Sequence, residues 1–140
     1  MSDQISPSDQ QEVVVLVGMP GSGKTTLANT IFKQKNYFIA HGDELKTSKR
    51  MIAKAIPEAA QGRSIVFDAT NPSRAKRAEY INFAKRLNLP VRCIHLATSL
   101  EESLRRNAQR DQPVPRIAYS VYLKNFQEPL DDECRVHLLL

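Results

Sequence analysis

The residues Gly18-Met19-Pro20-Gly21-Ser22-Gly23-Lys24-Thr25 satisfy G-x-x-x-x-G-K-[ST] in full. That spacing suits a chain of phosphates. Glycines let the backbone come close and adopt angles that a Cβ would block. The loop N–H groups and the N-terminus of the following helix then point at phosphate oxygens. Lys24 is placed to reach the β- and γ-phosphates of a nucleotide, and Thr25 to hold Mg²⁺ through its hydroxyl. Pro20, Gly21, Ser22, Gly23 and Thr26 complete the expected cradle. A glycine-rich turn without a ligand is the bland alternative. The apolar run before the motif and the helical pattern after it argue against that alternative.

Three further positions could do chemistry. Asp68 ends the apolar run Ser64–Asp68, where a second carboxylate for the Mg²⁺ shell is expected; its alternative role is to cap the turn before Pro72. Asp43 follows the short run Tyr37–Ala40. It could take a proton from an acceptor hydroxyl, or it could be the N-cap of a helix starting near Glu44. The residues alone leave both open. Arg106 and Arg110 are four apart, so a helix would put them on one face. Like charges so placed repel, and an anion between them would remove that cost. The DQPVP segment that follows would let the helix end act as a lid.

These groups need a scaffold that brings them to one edge. Glu12–Val17 reads as a buried strand, Lys24–Lys35 as helix and Tyr37–Ala40 as a second strand. The segment 44–61 reads as helix interrupted at Pro57, and Ser64–Asp68 as a third strand. Ser73 is a candidate N-cap for a helix running to about Asn88, in which Ala78, Ile81, Ala84 and Leu87 recur at helical spacing. Val91–Ala97 is a fourth strand, and Ser99 to Arg110 a helix with Ser99 and Glu102 in capping-box positions. Ile117–Phe126 is a last helix and Arg135–Leu140 a fifth strand. Alternating strands and helices imply right-handed crossovers and a parallel sheet. Ligands then sit beyond the carboxyl ends of the strands, which is where Gly18–Thr25, Asp43 and Asp68–Asn71 fall.

The composition fits one domain with a modest core, at 140 residues. Residues 1–11 are polar, lack a secretory pattern and are expected to be a disordered lead-in to a domain over 12–140. No apolar run reaches membrane-spanning length, so no membrane partner is expected. Cys93 and Cys134 have neither metal-ligand spacing nor a partner nearby in sequence, which reads as reduced thiols in an intracellular protein. The net charge is +5, but residues 13–127 hold 19 of the 20 Lys/Arg and 8 of the 15 Asp/Glu. A basic body implies a polyanionic partner such as ATP, nucleic acid or an acidic membrane, or is simply a solvated surface.

The ordered motifs GMPGSGKTT, HGDELK, IVFDATNPSRAKRAEYINFAKRLNLPVRCIHLATSLEESLRRNAQR and VPRIAYSVYLKNFQEP resemble those of 5′-hydroxyl polynucleotide kinases. Both the phage type and the kinase domain of the eukaryotic polynucleotide kinase 3′-phosphatase are similar, over nearly all of residues 13–130. The resemblance implies that Asp43 is the general base, and that Arg106 and Arg110 are lid arginines holding the ATP phosphates. Arg110 is the better matched of the two, because Arg106 lines up more clearly with the phage type. Asp68 matches the carboxylate of the eukaryotic form; the phage form has its acid one place later, at Ala69 here. Lys46 falls where the phage form has an arginine that grips the acceptor phosphate, so the charge is kept but the bidentate fork is lost. Asn71 and Arg74 of the DATNPSR turn are implied acceptor contacts.

The resulting expectation is an α/β P-loop NTPase/kinase fold with a mostly parallel sheet of four to five strands. Its function would be transfer of the γ-phosphoryl of ATP, with Mg²⁺, to the 5′-hydroxyl ends of DNA or RNA. Lys24, Asp43 and Arg110 would be catalytic. Basic residues on the 46–54 and 74–86 helices are candidates for the nucleic-acid backbone. Tyr37, Tyr80, Tyr119 and Tyr122 could stack on bases, although core packing is the expected role of most. No D-x-D-x-T phosphatase motif occurs, so a kinase alone is expected, a monomer, with a separate phosphatase or ligase as partner or as the excised domain of a larger protein. The rivals are a P-loop kinase of a small metabolite hydroxyl and a non-enzymatic ATP-binding module.

Overall fold

A computed structural model describes residues 5–140. Five strands form one parallel sheet in the order β2-β3-β1-β4-β5: β1 Val13–Val17, β2 Phe38–His41, β3 Ile65–Asp68, β4 Val91–Leu96 and β5 Arg135–Leu139. The central β1 is buried at every residue because its side chains alternate between two covered faces. Val13 and Val15 join Ile65, Phe67 and Cys93 in one core, with Met51, Ala55, Tyr80 and Phe83 from two helices. Val14 and Leu16 join Val66, Ile94, Phe32 and Tyr37 in the other. The parallel α/β sheet expected from the alternating pattern is what forms, down to the terminal strand. No helix among the described residues is long and apolar enough to cross a membrane.

The helices differ from the sequence expectation in instructive places. The first begins as α1, Lys24–Leu27, widens into a π turn over Ala28–Phe32 and tightens over Lys33–Lys35. Thr30 Oγ1 donates to the carbonyl of Thr26 at 2.8 Å, the kind of side-chain competition that loosens a backbone ladder. The expected interruption at Pro57 does not occur; that proline lies inside α3, Ser48–Ala60. The break falls earlier, at Lys46, whose φ is 74°, and at Thr47, whose side chain caps α3 by accepting from Arg50 N. A short α2, Gly42–Leu45, precedes it. Ser73 caps α4, Arg74–Arg86, as expected. Ser99 caps α5, Leu100–Ala108, and α6 spans Arg116–Asn125.

Residues 5–11 are not the disordered lead-in expected from their polarity, while residues 1–4 lie outside the described residues. Ile5 is 4% exposed within the core. The segment is pinned by a buried ion pair. Arg92 Nε and Nη2 donate to Glu12 Oε1 and Oε2 at 3.0 and 2.8 Å, and Nη2 also reaches the Ser6 carbonyl at 2.6 Å. Tyr37 Oη donates to the same carboxylate at 2.6 Å and receives Ser8 N–H at 2.9 Å. A charge so fully engaged outcompetes the chain entropy of a short polar segment. Cys93 and Cys134 are free thiols, and they have a spatial partner that their separation in sequence hid: β4–β5 pairing brings the sulfurs to 2.6 Å.

Removing one member of the buried pair leaves the other charge uncompensated. Glu12→Ala is therefore expected to cost about 3–5 kcal/mol in denaturant unfolding, and the double variant Glu12→Leu/Arg92→Met to recover most of that loss. Equal losses in the single and double variants would show that the pair does not hold the segment.

Candidate active site

The phosphate loop joins the C-terminal end of β1 to α1. Gly21 and Gly23 have φ of 79° and 104°, the left-handed region where a side chain is strained. A Cβ on Gly21 would also sit 2.5 Å from the Ser103 carbonyl oxygen. The loop is braced from both sides. Tyr119 Oη donates to the Pro20 carbonyl at 2.7 Å and Thr98 Oγ1 to the Ser22 carbonyl at 2.8 Å. Lys24 folds back into it, with Nζ donating to the carbonyls of Gly18 and Met19 at 2.8 and 2.9 Å. Burial pushes the Lys24 ammonium down to about 8, and the nearby Asp68 and Asp43 carboxylates oppose the shift. Lys24 Nζ also donates to the Ser22 hydroxyl at 3.4 Å, and a buried lysine whose hydrogen-bond partners are all neutral is poised for an anion.

Asp68, at the end of β3, is 5% exposed. Its Oδ2 accepts from Thr25 Oγ1 at 2.8 Å and lies 2.8 Å from His41 Nδ1. It does not cap the turn before Pro72, which was the alternative reading. With its proton committed to Asp68, the Thr25 hydroxyl has lone pairs left for a cation. Among the described residues no group of three or more His, Cys, Asp or Glu side chains could hold a metal unaided. The Thr25 hydroxyl backed by Asp68 fits Mg²⁺, which takes one or two protein oxygens and completes its shell with water and substrate phosphates. Thr25 would hold the ion directly, with Asp68 behind it. His41 is a site residue that sequence reasoning missed. Its signal is its position opposite Asp68 in the β2–β3 register, visible only once the strands are aligned.

Asp43 lies in the first turn of α2, whose N-cap is His41 with no side-chain cap bond. Its carboxylate is therefore not spent on capping. It is 83% exposed and sits 3.7 Å from Arg110 Nη2. Arg106 and Arg110 do not share a helix face, contrary to expectation, because α5 ends at Ala108. Arg106 Nε turns to Glu102 Oε2 at 2.8 Å and its Nη1 to the Ser22 carbonyl of the loop at 3.2 Å. Arg110, beyond the helix, faces Asp43 instead.

A cleft of ≈ 990 Å³ runs past these groups and takes in Gly42, Lys46–Ser48, Thr70–Pro72 and Lys76. Two implied acceptor residues have other work. Asn71 is 3% exposed, and its Nδ2 donates to the Leu16 carbonyl at 2.8 Å, tying the turn to β1. The Arg74 guanidinium is held bidentately by Asp132 at 3.1 and 2.8 Å. The acidic tail thus folds onto α4, where Glu133 also receives Arg77 Nε at 3.0 Å. All four tyrosines are between 2% and 5% exposed, so none is a platform for a base.

A parallel sheet in this order, with a phosphate loop after β1 and a carboxylate at the end of β3, is the fold of the P-loop kinases. The profile of the AAA domain family matches residues 45–129, and the chain belongs to that family; an NB-ARC domain profile matches residues 1–56, which carry the phosphate loop. The resemblance to polynucleotide kinases is borne out. The chain is 37% identical over 131 residues to the bifunctional polynucleotide phosphatase/kinase of Schizosaccharomyces pombe, covering 90% of this chain and 32% of that one. It spans about a third of the length of the two polynucleotide phosphatase/kinases it matches. Kti12 of Chaetomium thermophilum, solved with ADP-AlF3, shares the fold with a TM-score of 0.72 at 17% identity, covering 91% of this chain and 88% of that one. A gluconokinase of Sinorhizobium meliloti 1021 does so with a TM-score of 0.64 at 16% identity, covering 91% and 82%.

The depressed Lys24 gives a testable pH dependence. A phosphate needs the ammonium charged, and in the empty loop that charge is lost as pH rises through about 8. ATP affinity measured by calorimetry is expected to weaken above that pH, approaching about tenfold per pH unit. Lys24→Ala should bind weakly with no such dependence. A wild-type profile flat up to the normal lysine range would show that the ammonium is not desolvated in the way the loop geometry requires.

Proposed function

We propose that the chain transfers the γ-phosphoryl of ATP to the 5′-hydroxyl of a polynucleotide, DNA or RNA. The observation that carries this reading is the Asp43 carboxylate, open to the cleft between the phosphate loop and a basic mouth. The similarity to polynucleotide phosphatase/kinases supports the choice of acceptor. Asp43 would accept the hydroxyl proton as the acceptor oxygen bonds to the γ-phosphorus and the bond from that phosphorus to the β,γ-bridging oxygen breaks, leaving ADP. Lys24 and Arg110 would neutralise charge developing on the migrating phosphoryl. Mg²⁺, which Thr25 would hold with Asp68 behind it, would supply neutralisation of the nucleotide's phosphate charge. Arg110 also pairs with Asp43, so binding ATP phosphates would draw the arginine away and free the base. Because no D-x-D-x-T motif occurs in these residues, a 3′-phosphatase step would fall to a separate protein or to another part of a longer chain.

The test is label transfer from γ-labelled ATP to a 5′-hydroxyl oligonucleotide. Wild type is expected to label it, and Asp43→Asn to lose about 10²–10⁴-fold in kcat with ATP affinity within about twofold. Acceptor binding should weaken with salt, as log K falls by about 0.7 per phosphate contacted for each tenfold rise in salt on a single strand. Label on small hydroxyl compounds but not on oligonucleotides would move the reading to a metabolite kinase. ATP binding without transfer to any acceptor would leave a binding module.

A further inference from the structure

The buried face of α5 is made of two polar residues, Ser103 and Asn107, one helical turn apart. Neither takes part in the chemistry above. Ser103 faces the phosphate loop, where its carbonyl oxygen leaves no room for a Cβ on Gly21. Asn107 turns instead to the segment that follows the helix. Its Nδ2 donates to the Val114 carbonyl at 2.9 Å, and its Oδ1 accepts the Val114 N–H at 2.9 Å. Its own carbonyl accepts the Arg110 N–H at 3.1 Å. One buried residue thus holds the main chain at Arg110 and again at Val114, and residues 108–113 form a loop closed at its base.

The local sequence explains why a side chain closes this loop. Val114 stands between Pro113 and Pro115. Neither proline carries an N–H, so Val114 supplies the one main-chain donor of residues 113–115, and no helix can form across them. A side-chain amide offers one donor edge and one acceptor edge, as a peptide group does. Asn107 therefore meets Val114 as a neighbouring strand would. Residues 108–113 are all exposed, so apolar packing does little to order them. Asn107 is 6% exposed and does not line the cleft, whereas Arg106, Arg110 and Val114 do. It acts on a ligand only through these neighbours. Arg106 has supports of its own in Glu102 and the Ser22 carbonyl. Arg110 lies on the closed loop, which brings its guanidinium across the cleft to Asp43.

We infer that Asn107 is a positioning residue: by closing the 108–113 loop it presents the Arg110 guanidinium to the phosphates of ATP. The inference rests on the kinase reading above for the role of Arg110, and it does not depend on which hydroxyl accepts the phosphoryl group. The physical gain is preorganisation. An open, exposed loop would spread Arg110 over many positions, and the entropy of ordering it would be lost each time a nucleotide bound. With the loop closed beforehand, only the arginine side chain has to move, from Asp43 to the phosphates.

The test is a double-variant cycle on the full chain, read by calorimetry of MgATP binding. Arg110→Ala is expected to weaken ATP about tenfold, the loss of roughly one charge-assisted contact. Asn107→Ala, with the arginine present but no longer held, should weaken it about three- to tenfold. In the Arg110→Ala background Asn107→Ala should add less than about twofold, because nothing is left to position. In an Arg106→Ala background it should keep its full cost. A merely structural role would cost the same factor in every background, and that result would overturn the inference. So would unchanged ATP affinity in Asn107→Ala or in Arg110→Ala. A second measurement needs no variant and decides the matter if Asn107→Ala does not fold. In the wild type, hydrogen exchange at the Val114 amide should be at least about tenfold slower than at Asp111 and Gln112. Equal rates at the three amides would show that the loop is not closed, and would overturn the inference. The readout is ATP binding and loop closure, so the result is separate from the choice of acceptor, which label transfer tests.

Discussion

The site depends on one buried carboxylate. Asp68 ends a central strand, is almost fully covered, and uses a single oxygen to hold both Thr25 and His41. Thr25 is the second residue of α1, at the end of the phosphate-loop motif, and His41 closes β2, two residues before Asp43. One side chain thereby fixes the relative position of the phosphate cradle and the candidate base, which are far apart in sequence. A carboxylate buried this deeply is tolerable only while its donors are in place. The junction is therefore also where damage would propagate furthest. Losing it would free the Thr25 hydroxyl and the His41 ring at once.

Around that junction the protein's positive charge is divided into two groups. Arg77, Arg92 and Arg74 are spent on structure, holding the acidic tail against α4 and the N-terminal segment against the sheet. Arg77 is completely buried, and its Nη1 also donates to the carbonyls of Asn71 and Pro72 at 3.0 and 3.1 Å. It thus carries the Asn71–Pro72 turn that lines the cleft. Lys24, Lys46, Lys76, Arg106 and Arg110 face the cleft, where anions would pass. The net charge of the body says only that some polyanion is favoured. Knowing which cations are already paired narrows that to specific positions.

Much of the fold was legible because local chemistry and global topology agree. The apolar runs at Val13–Val17 and Ile65–Asp68 are bounded by a glycine loop and a polar turn, and strands buried on both faces read that way. Ser73 and Ser99 announced their helices as caps. The loop residues could be named one by one from the spacing of their glycines. What the sequence did not reveal shares a cause, which is that partners distant in sequence were invisible. The N-terminal segment is ordered by Arg92, Arg74 is occupied by Asp132, and Cys93 meets Cys134, each across a long stretch of chain. Arg110 left the helix face because α5 stops at Ala108, and boundaries of that kind are the least readable feature of a sequence. His41 could not be singled out without the register of β2 on β3.

The most direct measurement is the Mg²⁺ dependence of ATP binding, by calorimetry, in wild type, Thr25→Val and Asp68→Asn. If Asp68 holds the Thr25 hydroxyl in place for the cation, Mg²⁺ should tighten ATP binding in the wild type. It should tighten it little in Thr25→Val, and by an intermediate amount in Asp68→Asn, which keeps the shape but can no longer act as a carboxylate. Circular dichroism would confirm that each variant is folded. Full Mg²⁺ dependence in both variants would contradict the arrangement, because the cation would then be held by something other than the junction on which the site is built.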